Sequence, residues 1–145
     1  MEIMIDVNDI FNLFPNSGSK KEEVIEDIVD ITSSPKYWLG MHKKLVLNHI
    51  NFKKKALKFF KESNHELDIE DVKKAGEYVA YNKAWYYIKK INLSDKNHIL
   101  DIIEYGDDLL ETSLELAIQY FQDIEEYEKC AHLLKILKKS QEFHL

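Results

Sequence analysis

One long stretch of the chain, residues 35–62, separates into two unlike halves when it is drawn as a helix at about 100° per residue. The apolar half contains Trp38, Met41, Leu45, Val46, Ile50, Phe52, Ala56, Leu57, Phe59 and Phe60. The opposite half contains Lys36, Lys43, Lys44, Lys54, Lys55, Lys58 and Lys61. A helix of this kind buries one face and solvates the other, so the chain is expected to fold by packing amphipathic helices together.

Start and stop signals divide the rest of the chain into further helices. We expect Ser94 and Asp108 to cap the starts of two of them, and Gly106 to end a helix in the left-handed conformation. The helices are predicted at about 20–31, 35–62, 69–91, 95–105, 109–122 and 127–139. No stretch alternates polar and apolar residues for long enough to form a sheet. The predicted fold is therefore an all-α, single-domain bundle of five or six helices.

Two predicted elements have particular places in this bundle. The helix at 69–91 is apolar on most sides and rich in aromatic residues, including Tyr81 and Trp85, so we expect it to be central. The last two helices should form a C-terminal hairpin, in which Ala117 and Phe121 face Tyr127 and Cys130. This hairpin resembles a tetratricopeptide-type helical pair. Such repeats stack several units, whereas the pattern occurs once here, so no peptide-binding role is carried over. The apolar stripe of its first helix comprises Leu110, Leu114, Ala117, Ile118 and Phe121.

Composition narrows the classes of function. The only cysteine, Cys130, excludes an intrachain disulfide, which favours a reducing, cytoplasmic setting. No apolar run approaches the roughly 18 residues of a membrane span, so no membrane association is expected. All 20 basic residues are lysine, and the absence of arginine disfavours sequence-specific reading of nucleic acid. The abundance of Lys, Asn and Ile suggests an AT-rich genome, bacterial or phage.

Motifs that would support catalysis are weak, and we predict no enzyme, no cofactor and no metal. Glu62 and His65 have the Glu-x-x-His spacing of di-iron bundles, but that site needs two copies on facing helices. Glu22, Glu23 and Glu26 form an EExxE pattern that resembles the acid clusters of helical nucleotide pyrophosphohydrolases, which would imply magnesium. Acidic residues in a first helical turn also follow from the helix dipole. A metal-dependent enzyme stays open as a third alternative.

Charge is strongly segregated along the chain. Residues 31–61 contain eight lysines and no acid, whereas residues 97–128 contain ten acids and no lysine. The acidic residues predicted to bind a partner are Asp107, Asp108, Glu111 and Glu115. The lysine face of residues 35–62 is the alternative: a row of ammonium groups can follow phosphates without reading bases. Pairing between the two halves would leave neither surface available.

An apolar arm precedes the predicted bundle. Its side chains Val7, Ile10, Phe11, Leu13 and Phe14 are followed by a Pro-Asn-Ser-Gly linker at residues 15–18, and Ser19 then caps the first predicted helix. A short amphipathic segment on a tether is typical of peptides that bind in grooves. The arm is predicted either to fold back over the bundle or to bind another protein or a second copy of the chain. We assign residues 1–18 to arm and linker, 19–139 to the bundle and 140–145 to a tail.

These features favour a non-enzymatic regulatory or adaptor protein that acts through protein–protein contacts, similar in kind to an inhibitor or immunity protein. The alternative is a nucleic-acid-binding accessory protein that uses the lysine face. The first hypothesis depends on segregated charge and the arm, and the second on whether the lysines face solvent.

Overall fold

The computed structural model describes residues 24–25, 30–63 and 69–142. These residues form helices and short connections, without a strand among them. The chain divides into two compact units, residues 1–34 and 35–145. In the first unit, residues 24–25 and 30–32 are helical, and the Ser34 hydroxyl donates a hydrogen bond of 2.9 Å to the carbonyl oxygen of Ile31. The predicted boundary of the bundle at residue 19 stays a prediction.

The second unit confirms the predicted all-α bundle. Its helices are α1 (Pro35–Ser63), α2 (Ile69–Ile88), α3 (Lys96–Tyr105), α4 (Asp108–Asp123) and α5 (Tyr127–Gln141). Pro35 begins α1, as proline suits a first helical position where no N–H is needed. The C-terminal hairpin is confirmed as α4 and α5. Tyr127, which was expected to face Ala117 and Phe121, is instead exposed at the first position of α5. The last helix continues past residue 139 and buries Ser140, whose hydroxyl donates to the carbonyl oxygen of Leu137 at 2.8 Å.

Helix starts differ in detail from the sequence-based expectation. α3 is capped by Asp95, whose carboxylate accepts the N–H of Asn97 at 2.9 Å. Ser94 is instead part of the preceding turn, in which its N–H donates to the Asn92 side chain at 2.9 Å. Gly106 has a φ of −55°, so the predicted left-handed helix end is wrong. The sharp connection there needs no positive φ.

The start of α4 also moves by one residue. Asp107 has extended backbone and accepts the N–H of Leu110 at 2.7 Å. A carboxylate reaches the third amide of a helix only from the capping position. Asp107 is therefore the cap, and the predicted cap, Asp108, is the first helical residue.

The core is formed by α1, α3, α4, α5 and the end of α2. Its larger side chains include Leu39, Tyr81, Ile88, Ile102, Leu110, Leu114, Phe121, Leu133 and Ile136. Stacked rings of Tyr81 and Tyr120, with centroids 4.4 Å apart, join α2 to α4. Every residue of the stripe predicted for residues 109–122 is buried except Ile118, which is half-buried. That stripe is confirmed.

The helix that contacts the most neighbours is α1, which packs on α2, α3 and α4. The aromatic-rich α2 packs mainly along α1 and buries only Tyr81, Ala84 and Ile88. Tyr78, Val79 and Tyr86 are exposed, whereas Trp85 and Tyr87 are half-buried. The core is thus organised around the lysine-bearing helix, and much of α2 lies at its surface.

Candidate functional site

The α1–α2 hairpin extends beyond the core. We call residues 50–62 of α1 and 69–80 of α2 the distal hairpin. No described side chain in these two ranges is buried. Its two helices contact each other, as the pair between Lys53 Nζ and Glu77 Oε1 at 3.4 Å shows. Because apolar burial is the main driving force of folding, an element without buried side chains adds little to the stability of the core. The side chains of such an element are available for contact with a partner.

Large apolar side chains are exposed along this hairpin. They are Phe52, Leu57, Phe59, Tyr78, Val79 and, next to the core, Tyr86. Phe52 is 60% exposed and Val79 is 51% exposed. Single exposed apolar residues are ordinary, but several on one element, with aromatic members, are typical of an interaction surface.

This surface corrects the sequence-based assignment of the α1 face. The pattern placed Phe52, Leu57 and Phe59 on a buried side, and all are exposed. The buried stripe of α1 is Leu39, His42, Val46 and His49, of which only Val46 belonged to the predicted apolar half. Helical periodicity predicts which side chains share a face, but not how far along the helix a neighbour covers it. The exposure of Phe52 on α1 and Val79 on α2 became evident only from the structure, in which the buried residues of α2 begin at Tyr81.

A shallow groove between α1 and α2 is made of two open depressions. It is lined by Met41, Leu45 and Phe52 of α1 and by Val79, Lys83 and Tyr86 of α2. Leu45 and Lys83 line both depressions, so the two adjoin end to end along the hairpin. Its walls are mostly aliphatic and aromatic.

Small residues of α2 form the floor of this groove. Gly76 and Ala80 lie one turn apart and let the two helices approach closely. A Cβ at Gly76 would lie 3.3 Å from the Cε1 atom of His49. Beside this contact, a cavity of about 20 Å³ is enclosed by side chains that include Phe60 and Val72. A space of that size admits one water-sized molecule and no substrate.

Four exposed lysines border the groove. Lys83 lines it, and Lys90 lies over the ring of Tyr86 at 4.3 Å from its centroid. Lys44 and Lys55 are three positions beyond Met41 and Phe52, so they follow the same edge of α1. None of the four forms an ion pair with another residue of the described ranges. The groove is therefore apolar inside and positively charged at its rim.

Two histidines, His42 and His49, are by contrast buried in the bundle. His42 is fully buried, and its Nδ1 lies 3.3 Å from the Ser113 hydroxyl oxygen. Ser113 uses its own proton to donate to the carbonyl oxygen of Leu110 at 2.7 Å. His42 Nδ1–H must then be the donor to Ser113, which leaves Nε2 as a bare lone pair without a partner in the core. Burial lowers the pKa of His42 to about 3.

His42 and Ser113 do not constitute a catalytic pair. A nucleophilic serine needs its O–H directed at a base, and here the hydroxyl proton is directed at a backbone oxygen. The imidazole is also closed off from solvent. The contact joins α1 to α4 inside the core, and the Nε2 atom of His42 stays unpaired there.

The predicted lysine face of α1 is divided between two environments. Lys36 Nζ lies 2.7 Å from Glu104, and Lys43 Nζ lies 3.3 Å from Asp107. Burial alone would lower the pKa of Lys43, but hydrogen bonds with Tyr105 and Asp107 raise it above its usual value. The exposed lysines without an ion pair to any described residue are Lys44, Lys54, Lys55, Lys58 and Lys61. The acidic half thus neutralises only the first turns of this face.

The acidic residues are also divided in their roles. Asp107 caps α4 and binds Lys43, so both of its oxygens already have structural partners. Asp108 and Glu115 are exposed, whereas Glu111 is half-buried. The prediction that these acids bind a partner stays a prediction.

Several other predicted sites lie outside the described residues. These are the apolar arm with Val7, Ile10, Phe11, Leu13 and Phe14, the EExxE pattern at Glu22, Glu23 and Glu26, and His65. Across the described ranges, no group of three or more His, Cys, Asp or Glu side chains is placed to hold a metal ion. None of the helices from Pro35 to Gln141 combines the length and the apolar character that a bilayer span requires.

No protein family matches this chain, and neither a curated protein nor a solved structure is similar to it.

Proposed function

We propose that the protein is a non-enzymatic adaptor or regulatory protein that binds another protein through its α1–α2 hairpin. The observation that carries this proposal is the distal hairpin, which exposes aromatic and aliphatic side chains along a stretch where nothing is buried. Exposing such side chains to water is unfavourable by about 25 cal/mol for each Å². A partner that covers them recovers this free energy.

The location of the surface supports a role in binding. It belongs to an element that extends from a well-packed core, so contact with a partner needs no change in the core. Aromatic residues such as Phe52 and Tyr78 are the types that dominate binding energy at protein interfaces. The single cysteine is consistent with action in the cytoplasm, where disulfides are rare.

Affinity capture with the full chain tests the proposal. The variant Phe52→Asp places a charge on the exposed surface, and Phe52 is exposed enough for the fold to persist. We expect a protein partner to be retained by the wild-type chain and lost from Phe52→Asp. A second variant, Phe11→Asp with Phe14→Asp, tests the predicted arm in the same assay.

The matched control is Leu109→Asp, because Leu109 is an exposed apolar residue at the start of α4, with 56% exposure against 60% for Phe52. This control should retain the partner. A partner that is held equally by wild type and Phe52→Asp, or no partner at all, would contradict a role for the hairpin.

A second candidate function is salt-dependent binding of nucleic acid by the lysine face. The specific observation in its favour is that Lys54, Lys55, Lys58 and Lys61 are exposed on the distal hairpin and unpaired by the residues described there. Gel shift with single- and double-stranded DNA at low and high salt is decisive. Binding by this route must weaken steeply with salt and weaken again when Lys54 and Lys58 are changed to glutamine.

A further inference from the structure

We propose that the groove between α1 and α2 binds an acidic amphipathic helix of about three turns from a partner protein. This rests on the proposed function and specifies its partner. The evidence is the length of the groove, its apolar lining and the charge of its rim.

The length of the groove sets the size of the occupant. Met41 and Phe52 mark its extent on α1, and the residues from Ala75 to Tyr86 mark a similar extent on α2. At a rise of about 1.5 Å per residue, either distance is about 16 Å. A helix laid along the groove would be covered over about three turns.

The lining selects a helix with an apolar stripe. Leu45, Phe52 and Val79 present aliphatic and aromatic surface. A third helix packed on two others buries residues at spacings of three and four, as in other helix-in-groove complexes. Strand addition is not available here, because the described part of the bundle has no sheet edge.

The rim selects acidic flanking residues. Lys44, Lys55, Lys83 and Lys90 are exposed around the groove, and none is neutralised by an acid of the described residues. Glutamate or aspartate beside the apolar stripe of the occupant would pair with these ammonium groups. A basic helix with the same stripe would be repelled, and such a like-charge arrangement is how interfaces reject wrong partners.

Two designed peptides test the partner class. Both have the same three-turn apolar stripe, and one has glutamate and the other lysine at every flanking position. Fluorescence anisotropy of each labelled peptide is measured against the full-length chain at low and high salt. We expect the acidic peptide to bind at least about tenfold more tightly than the basic one, with the difference shrinking at high salt.

Variants of the chain locate the binding surface. Val79→Glu places a carboxylate inside the groove and should weaken the acidic peptide by at least about tenfold. Leu109→Glu is the control at matched exposure, 56% against 51% for Val79, and should leave binding unchanged. The double variant Lys44→Glu, Lys83→Glu should reverse the preference between the two peptides. Circular dichroism confirms that each variant is folded.

The outcomes separate this proposal from the proposed function. Equal binding of both peptides, binding of neither, or equal weakening by Leu109→Glu and Val79→Glu each overturns the acidic-helix proposal. So does a dimer of the chain that Val79→Glu dissociates, because a second copy would then occupy the groove. In any of these cases, a captured partner that depends on Phe52 still supports the proposed function, whereas a partner insensitive to Phe52 refutes it.

Discussion

Acid should destabilise this protein through His42. The unfolded chain protonates this histidine near its ordinary pKa of 6.5, whereas burial lowers the pKa in the folded state to about 3. Between these values the unfolded state binds the extra proton, so stability falls as the pH falls. Below about pH 6.5 the loss grows toward 1.4 kcal/mol for each pH unit. The free energy of unfolding should therefore drop by about 2 kcal/mol between pH 7 and pH 5, and by about 4 kcal/mol by pH 3.

The variant His42→Gln isolates this contribution. Glutamine is polar and does not titrate, so it should lower stability at pH 7 but remove about 2 kcal/mol of the change between pH 7 and pH 5. His49, which lies against Tyr81, also has a pKa lowered by burial and adds a dependence of the same sign. That part is common to wild type and His42→Gln, so their difference reports His42 alone.

Urea unfolding followed by far-ultraviolet circular dichroism measures the free energy at each pH. Ser113→Ala is the matched control, because it removes the hydroxyl partner and leaves the imidazole in place. It should lower stability at every pH and retain the acid sensitivity. Parallel pH curves for wild type and His42→Gln would refute the claim that a neutral imidazole is held in the core.

Three further predictions concern stability and are measured by urea unfolding at neutral pH. Phe121→Ala removes a side chain that is 1% exposed and should lower the free energy of unfolding by about 3–5 kcal/mol. Phe52→Ala should change it by less than about 0.5 kcal/mol. Similar losses for the two variants would show that the distal hairpin is covered. Asp107→Ala should lower the free energy of unfolding by about 1 kcal/mol through loss of the α4 cap, and Asp108→Ala should lower it clearly less. The reverse order would place the cap at Asp108. Glu125→Gly should raise the free energy of unfolding by about 0.5–1 kcal/mol, because residue 125 has a φ of 62°, which glycine adopts without strain. A loss of stability would argue against that turn conformation.

Local sequence signals located most of the helices correctly. Pro35 is the first residue of α1, and the acidic run after Tyr105 contains the cap of α4, although the capping residue is Asp107 and not Asp108. Capping is decided within a few residues of the chain, which is why such signals can be read directly. An error of one residue arises because adjacent aspartates are equally able to cap until the backbone conformation selects one.

Burial was harder to predict than helicity. The α1 pattern pointed to Phe52 and Phe59 as core residues and gave no sign that His42 belonged inside. The cost of burying a polar imidazole is offset by Ser113, which is 71 residues away in the chain. No local pattern contains that information. The groove on α1 and α2 was likewise invisible, because it needs residues from two helices to be placed side by side.

The sequence alone determined that this chain is helical, where most of its helices begin and end, and that its charges are segregated. Those properties depend on hydrogen bonds and side-chain periods within one helical turn or two. Only the tertiary structure decided which apolar face is covered, which lysines are paired, and that Phe52 and Val79 stay exposed beside four lysines. The physical reason is that burial and ion pairing depend on neighbours that are distant along the chain, and these neighbours are set only when the helices pack.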